Sequence, residues 1–319
     1  MIKTRKLISV VLIVSFLAAA LAGCQTVTPV VKPDADRAGN PIKIPDKIEK
    51  IVSLNPAITQ TLIDMGLQDK IVAIDEYSAE YKDKLPADVA VYSLDTPDQE
   101  SIIALKPDIM FTSGMLYVGG TNPYQTVSDA GICIADIPSS TSISGIIQDI
   151  IFVGSCVGTP ENAAKIISEM EYKISQISKT ASTIKEEDKK TVAFLLSVPD
   201  DNYPTVYSVG KSTFIDDMIN LLGAKNAFGD QESWLALSEE AVIQADPDII
   251  LHSVSYVPDA DKALAARPGW DAIKAVKDGN IFYIDENASN RPNAHIVEAL
   301  EEMAKAIYPE YYAALDKAA

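Results

Sequence analysis

The chain has 319 residues, of which 47% are hydrophobic and 23% charged, and its formal net charge is −18. This length allows two domains or one large one, and the acidic balance argues against binding to nucleic acid or to anionic lipid, which need clustered lysine and arginine. With only two histidines, the sequence lacks the residues of most multi-histidine metal sites, and we predict no metal site.

Residues 1–23 have the pattern of a bacterial lipoprotein signal peptide. A basic start precedes an apolar stretch over residues 7–22, which ends in Leu-Ala-Gly immediately before Cys24. The stretch is shorter than the roughly 20 residues that an ordinary membrane-spanning helix needs. We therefore predict that Cys24 is lipidated and holds the protein at the outer face of a membrane. The alternative is an ordinary signal peptide that a cysteine follows by coincidence.

Residues 24–45 are rich in Thr, Val, Pro and Asp without any period, which predicts a tether between lipid and folded chain. Beyond residue 45, short apolar runs that suit buried strands alternate with stretches of helical periodicity. The predicted strands cover residues 51–54, 71–74, 108–112, 131–136, 191–196, 206–208, 248–253 and 278–285. The predicted helices include residues 56–65, 142–157, 159–184, 214–222, 270–276 and 293–307. Such alternation predicts parallel sheets that are covered on both faces.

The longest predicted helix starts at Thr159, a favourable cap, with Pro160 at the first helical position. No further Gly or Pro follows before residue 185, which predicts one helix of about 25 residues, near 37 Å long. This helix divides the chain into an N-terminal lobe (residues 46–158), a linking helix (159–188) and a C-terminal lobe (189–319). Two lobes joined by one helix leave a cleft between them.

A fourteen-residue segment occurs twice. Residues 100–113 and 240–253 align without a gap, with six identical positions. Each copy predicts a short helix, a Pro-Asp corner and a buried strand, so the two lobes should be built alike. Each copy also begins with a glutamate, Glu100 or Glu240. The pair would suit arginines of a two-fold symmetric partner, the alternative being two solvated acids that the helix dipole favours.

Aromatic side chains recur next to the predicted strands. Ligands of parallel sheets bind at the carboxyl ends of the strands, and aromatic rings there suit a large flat ligand, although each ring taken singly also suits packing. His252 ends a predicted strand and is either a cleft residue or a plain strand-end histidine. The aromatic candidates are Tyr77, Tyr92, Tyr117, Tyr207 and Trp234.

Catalytic motifs are missing from the sequence. Gly210-Lys211-Ser212 lacks the glycine that a phosphate loop needs five residues earlier, where Thr205 stands. No Gly-x-Ser-x-Gly elbow occurs either. We therefore predict no catalytic residues and no enzyme, with an exported hydrolase as a distant alternative.

Two cysteines follow the leader cysteine. Cys133 lies in a predicted strand and Cys156 in a predicted helix. Export would permit a disulfide between them, and burial as two free thiols is the alternative.

Four motifs resemble those of the substrate-binding proteins of metal-chelate ABC importers, which serve vitamin B12, ferric siderophores and haem. They are Ile51-Val-Ser-Leu-Asn-Pro-Ala-Ile-Thr, the two glutamate-led repeats, Trp234 six residues before Glu240, and Asn290-Arg291-Pro292. The resemblance covers residues 50–310. It implies an α/β fold with two Rossmann-like lobes, mainly parallel sheets and one bridging helix. It also implies a monomer that docks Glu100 and Glu240 on arginines of a permease dimer, with limited lobe movement.

Within this family the chain is most similar to the vitamin B12-binding branch. Tyr77 falls at a corrin-contacting tyrosine of that branch, Tyr207 at an aromatic position, and Arg291 at a cleft arginine. Asn55 and Asn290, which belong to the matching motifs, are further candidates for ligand binding. Leu94 stands where the branch has a tryptophan, and Arg291-Pro-Asn-Ala-His295 replaces the family's Arg-Pro-Gly-Pro-Arg. The resemblance implies a transported corrinoid and no resident cofactor, with a ferric siderophore or haem as the alternative ligand.

Overall fold

The structure is a computed structural model that describes residues 32–94, 96–114 and 122–313. Two predicted functional residues, Cys24 and Tyr117, lie outside these ranges. The strands are β1 (Ile51–Leu54), β2 (Ile71–Asp75), β3 (Ala90–Tyr92), β4 (Ile109–Thr112), β5 (Cys133–Asp136), β6 (Thr191–Leu195), β7 (Val206–Val209), β8 (Lys225–Asn226), β9 (Trp234–Leu237), β10 (Ile249–His252) and β11 (Ile281–Tyr283).

The described α-helices alternate with these strands, and short 3₁₀-helical segments join them. The helices are α1 (Pro56–Asp64), α2 (Gln99–Leu105), α3 (Gln125–Asp129), α4 (Ile143–Val157), α5 (Pro160–Ala181), α6 (Phe214–Leu221), α7 (Glu239–Ala245), α8 (Ala260–Ala265), α9 (Lys274–Lys277), α10 (Glu286–Asn290), α11 (Ile296–Ile307) and α12 (Pro309–Tyr312). The 3₁₀ segments are Gln68–Lys70, Glu76–Lys84, Glu186–Asp188 and Trp270–Ala272.

The N-terminal lobe contains a parallel sheet. Its described strands follow the order β3-β2-β1-β4-β5, and every pairing in it is parallel. All residues of β1 and β4 are buried, as expected where helices cover both faces of a sheet. The prediction of two lobes with mainly parallel sheets is confirmed.

The sheet of the C-terminal lobe is mixed. β11, β10 and β6 are parallel neighbours, whereas β7 pairs antiparallel with both β6 and β9. The prediction that this lobe repeats the plan of the first is therefore wrong for β7 and β9. The physical reason is the connection from β6 to β7, which contains no helix, because a parallel return needs a crossover of a dozen or more residues.

The repeated segment has the same construction in both lobes. Each copy is a seven-residue helix, α2 or α7, followed by a residue with positive φ and a strand next to the first strand of its lobe. The aspartate of each Pro-Asp corner binds the chain that enters that first strand. Asp108 accepts from the backbone N–H of Lys50 at 2.9 Å, and Asp248 accepts from that of Thr191 at 2.9 Å. The sequence identity of the repeat thus reflects two equivalent strand anchors.

The linking helix α5 has 22 residues, fewer than the predicted 25, and ends at Ala181 rather than near residue 184. It packs closely on α4, because a Cβ atom on Gly154 would lie 2.6 Å from the Cβ of Ala163.

Two other predicted helices also differ in their bounds. A 3₁₀ turn and α9 replace the helix predicted over residues 270–276, because Ile273 between them has an extended backbone. The helix predicted from residue 293 begins at Ile296.

One hydrophobic core extends through both lobes and the linking helix. Leu62 of the N-terminal lobe, Met170 and Ile177 of α5, and Ile219 and Met303 of the C-terminal lobe belong to the same buried cluster. Two smaller clusters lie apart from it, one in each lobe. The lobes therefore share apolar surface in addition to their covalent connection.

The segment predicted as a tether packs on the N-terminal lobe from residue 32 onward. The Asp36 carboxylate accepts from the backbone N–H of Asp136 at 3.0 Å, and Arg37 forms an ion pair with Asp149 at 2.6 Å. Ile44 is buried in the main core. Residues 32–45 are thus part of the folded lobe.

Cys133 and Cys156 are both buried and free. The alternative of two buried thiols is confirmed, and burial raises the pKa of Cys133 to about 11. Within the described ranges, none of the helices combines the length and apolar character that a membrane span requires.

The shared core predicts that the two lobes unfold together. Met170→Ala removes a side chain that is 2% exposed on the linking helix, and we expect it to lower the free energy of unfolding by about 2–5 kcal/mol in one cooperative transition. Tyr172→Ala, two residues away on the same helix and 67% exposed, is the matched control with an expected effect below about 0.5 kcal/mol. Denaturant unfolding followed by circular dichroism measures both. Two separate transitions in Met170→Ala would contradict the shared core.

Candidate functional site

The two lobes meet through polar contacts at the carboxyl ends of their strands. The 3₁₀ segment Glu76–Lys84 follows β2 in the N-terminal lobe, while α10 and Arg291 follow β11 in the C-terminal lobe. Arg291 forms an ion pair with Glu80, and Asn287 donates to the same carboxylate at 2.6 Å. Both connections run from one lobe to the other, so this edge is where a ligand held between the lobes would lie.

The Arg291 guanidinium has several partners in the N-terminal lobe. It donates to the Tyr81 hydroxyl and to the Tyr77 carbonyl oxygen, the latter at 3.3 Å. It also lies over the Tyr81 ring, 5.4 Å from the centroid, an arrangement that favours a cation. Burial raises the pKa of the Tyr81 hydroxyl, so Tyr81 is neutral beside the arginine. Arg291 is thus held in place from the opposite lobe.

Three of the predicted aromatic residues present exposed rings. Tyr77 is 61% exposed beside the cross-lobe contacts. Tyr207 and Trp234 lie on the same face of the β7–β9 ribbon, because Tyr207 pairs with Ala236, two residues beyond Trp234. They are 53% and 47% exposed, and the indole contacts Phe214 edge-on at 6.1 Å between ring centroids. These rings are available to a ligand.

The side chains of three other predicted ligand residues make contacts within the protein. The Asn55 side chain is buried and caps α1, accepting from Ala57 and Ile58. The Tyr92 ring is half-buried against the smaller core of its lobe. The Asn290 side-chain oxygen accepts from Ser289 at 3.2 Å. In this arrangement the structure gives Asn55 and Tyr92 a structural role.

His252 is buried at the end of β10. Its Nδ1 accepts from the backbone N–H of Val254 at 3.3 Å, and its ring tilts against Tyr283 with 5.7 Å between centroids. Burial lowers the pKa of the imidazole, which favours the neutral form. Nε2 has no hydrogen-bond partner among the described residues. The ring is 2% exposed and does not form an open surface.

Three cross-lobe partners were missed from the sequence: Glu80, Tyr81 and Asn287. All three follow predicted strands. The available signal in the sequence was the carboxylate of Glu80, three residues after Tyr77. Glu80 and Tyr81 contact Arg291, and Asn287 contacts Glu80. Each of these contacts joins residues more than 200 positions apart in the chain, so none has a local signature. Among the described residues, no three His, Cys, Asp or Glu side chains are grouped to hold a metal ion.

Glu100 and Glu240 occupy equivalent exposed positions. Each lies in the first turn of a short helix, α2 or α7, which follows the edge strand of its sheet, β3 or β9. Asp98 and Ser238 cap these helices. A hydrogen bond from its own backbone N–H and one from Ser238 lower the pKa of Glu240. The neighbouring Glu239 differs, because it is bound by Arg267 at 2.6 and 2.9 Å.

A second polar contact joins the lobes next to the linking helix. His295, immediately before α11, places Nε2 3.1 Å from the carboxylate of Asp64 in α1 and Nδ1 2.9 Å from that of Glu298. The hydrogen bond with Asp64 is the main reason that the pKa of His295 is raised. The pair therefore favours the protonated imidazole.

Comparison with known proteins gives a consistent set of relatives. The sequence pattern of the periplasmic binding protein family matches residues 51–288. An uncharacterized ABC transporter substrate-binding lipoprotein of Bacillus subtilis, YvrC, is 31% identical over 281 residues, which cover 87% of this chain and 85% of that protein. A cobalamin-binding protein of Halobacterium salinarum is 26% identical over 295 residues, covering 88% of this chain and 74% of that protein. The solved structure of a possible iron-binding (periplasmic solute-binding) protein of Staphylococcus epidermidis has a TM-score of 0.71 and 25% identity, covering 82% of this chain and 100% of that one.

The His295 contact predicts a pH-dependent stability. Because the folded protein binds the His295 proton more tightly than the unfolded chain, this contribution is complete below about pH 6.5 and is lost as pH rises through the raised pKa. We expect His295→Gln to be less stable than wild type at about pH 6 and closer to it at about pH 8. Urea unfolding of both proteins at the two pH values measures this change. A difference that is constant between them would contradict the prediction.

Proposed function

The chain belongs to the periplasmic binding protein family, and from that premise we propose that it is the extracytoplasmic substrate-binding lipoprotein of an ABC importer and carries a corrinoid between its lobes. One observation carries the ligand assignment. The protein has exposed rings at Tyr77, Tyr207 and Trp234 and, between its lobes, an arginine whose charge Glu80 already compensates. Such a surface suits a large, flat ligand of low net charge.

The relatives support the binding role. The Bacillus protein is named a substrate-binding lipoprotein and the Halobacterium protein a cobalamin-binding protein. These names favour a binding protein over an exported hydrolase. The second candidate ligand is a ferric siderophore or haem, which the possible iron-binding protein of Staphylococcus favours.

Two further parts of the proposal concern location and delivery. Cys24 carries the lipid, in line with the lipoprotein name of the Bacillus relative. Glu100 and Glu240 dock on arginines of a permease dimer, since each lobe presents one exposed carboxylate at an equivalent place. Ligand binding and docking thus use different side chains.

The ligand assignment predicts quenching of tryptophan fluorescence. Of the two tryptophans, Trp234 is 47% exposed and Trp270 is fully buried, so a ligand on this surface quenches Trp234. We expect saturable quenching by cyanocobalamin with a Kd at or below about 10 μM, and loss of most of that signal in Trp234→Phe. Haem and ferric siderophores are titrated in parallel. No response to cyanocobalamin together with a clear response to another chelate would transfer the assignment to that chelate.

The docking assignment predicts a separation of uptake from binding. Glu100→Ala with Glu240→Ala should keep the wild-type ligand affinity and reduce uptake in cells to that without the protein, because the permease arginines lose both carboxylates. The matched control is Glu161→Ala with Glu310→Ala, which removes two other exposed glutamates from first helical turns. Lost ligand affinity in the first variant, with permease binding intact, would show that the two surfaces were interchanged.

The lipid anchor predicts where the protein is found. Cys24→Ser should move the protein from the membrane fraction to the soluble fraction, because no thiol remains for the lipid. Fractionation and immunoblotting of wild type and variant measure this. Retention of Cys24→Ser in the membrane fraction would exclude Cys24 as the anchor.

A further inference from the structure

In the cross-lobe ion pair, the Glu80 carboxylate already occupies the Arg291 guanidinium, with which a ligand carboxylate would otherwise pair. The Arg291 side chain is 17% exposed and the Glu80 side chain 35%, so the pair is partly withdrawn from water. Such a pair interacts more strongly than a surface pair, and separating its members leaves a charge with poor solvation. Arg291 is therefore neutralised before any ligand arrives.

Glu80 is held at this place by a second contact. Asn287 donates to the other carboxylate oxygen at 2.6 Å, and Arg291 is itself fixed by the Tyr81 hydroxyl and the Tyr77 carbonyl. The remaining charged residues of the same segment are Glu76, Lys82, Asp83 and Lys84. Of these, Glu76 accepts from the backbone N–H of Leu94 at 2.7 Å, and the Lys84 ammonium lies 5.8 Å from the Tyr81 ring centroid. Glu80 is the carboxylate of this segment that contacts Arg291.

We propose that Glu80 sets the charge selectivity of the cleft by occupying Arg291 and so disfavouring ligands that carry carboxylates. A ligand carboxylate at this place must either displace Glu80, leaving it partly buried without its partner, or approach a pair that has no net positive charge. A ligand of low net charge meets neither cost. This inference rests on the proposed function, since it concerns which chelate the cleft of a binding protein accepts.

The test is Glu80→Gln, with haem as the anionic probe and cyanocobalamin as the neutral one. Glutamine keeps an oxygen that can accept from Asn287 but releases the positive charge of Arg291. We expect haem, with its two carboxylates, to bind about tenfold more tightly than to wild type, and cyanocobalamin affinity to change less than about twofold. The gain for haem should shrink as the salt concentration rises.

Three further variants make the result specific. Asp83→Asn removes the same charge from an exposed residue of the same segment and should leave haem affinity within about twofold of wild type. Glu80→Gln with Arg291→Gln should lose the gain, because the released charge is gone. Glu80→Ala should raise haem affinity as Glu80→Gln does, because it also removes the carboxylate. Thermal unfolding of each variant checks that it folds.

The possible outcomes distinguish this inference from the proposed function. A wild-type protein that binds none of the chelates contradicts the proposed function. No gain in haem affinity in both Glu80→Gln and Glu80→Ala, or an equal gain in Asp83→Asn, overturns the role of Glu80 whatever chelate the wild type binds. A gain that persists without Arg291 also overturns it.

Discussion

The shared hydrophobic core is the constraint on which the rest of the structure depends. Side chains from both lobes and from the linking helix are buried in one cluster, so separating the lobes would expose apolar surface on each of them. At about 25 cal/mol per Å² of apolar surface, even a modest opening at this core is costly. We therefore expect the lobes to form a frame of nearly constant geometry. A frame of this kind recognises a rigid ligand better than it encloses a flexible one.

Polar contacts complete the frame where the core does not reach. Arg291 and Glu80 join the lobes at the carboxyl ends of their strands, and His295 and Asp64 join them beside the linking helix. These polar pairs fix the relative orientation of the lobes, which the non-directional apolar contact does not. Under the proposed function, the Arg291–Glu80 pair also determines the charge that a ligand meets, because Glu80 compensates the arginine from within the protein. The exposed carboxylates of Glu100 and Glu240 lie on other elements, so the proposed function assigns delivery and recognition to separate surfaces.

The sequence allowed the prediction of those features that local patterns encode. Buried parallel strands such as β1 and β4 are continuous apolar runs, and the repeat predicted the equivalent construction around Asp108 and Asp248. The sequence did not reveal β9, because this strand has only four residues and two of them are exposed. The predicted strands therefore do not include Trp234. The contact of Glu80 with Arg291 was beyond reach for another reason. It joins residues that are distant in the chain, and only the packing of the two lobes brings them together.

The distance between the lobes with and without ligand, measured by pulsed electron spin resonance, tests most directly whether one shared core holds the two lobes together. Spin labels on Asp88→Cys and Asp271→Cys, exposed positions in opposite lobes, suit a chain with Cys24→Ser, because Cys133 and Cys156 are buried. Lobes held by one shared core should give one distance, which saturating cyanocobalamin changes by less than about 2 Å. Two populations in the free protein, or a larger shift on binding, would contradict a frame held by one shared core.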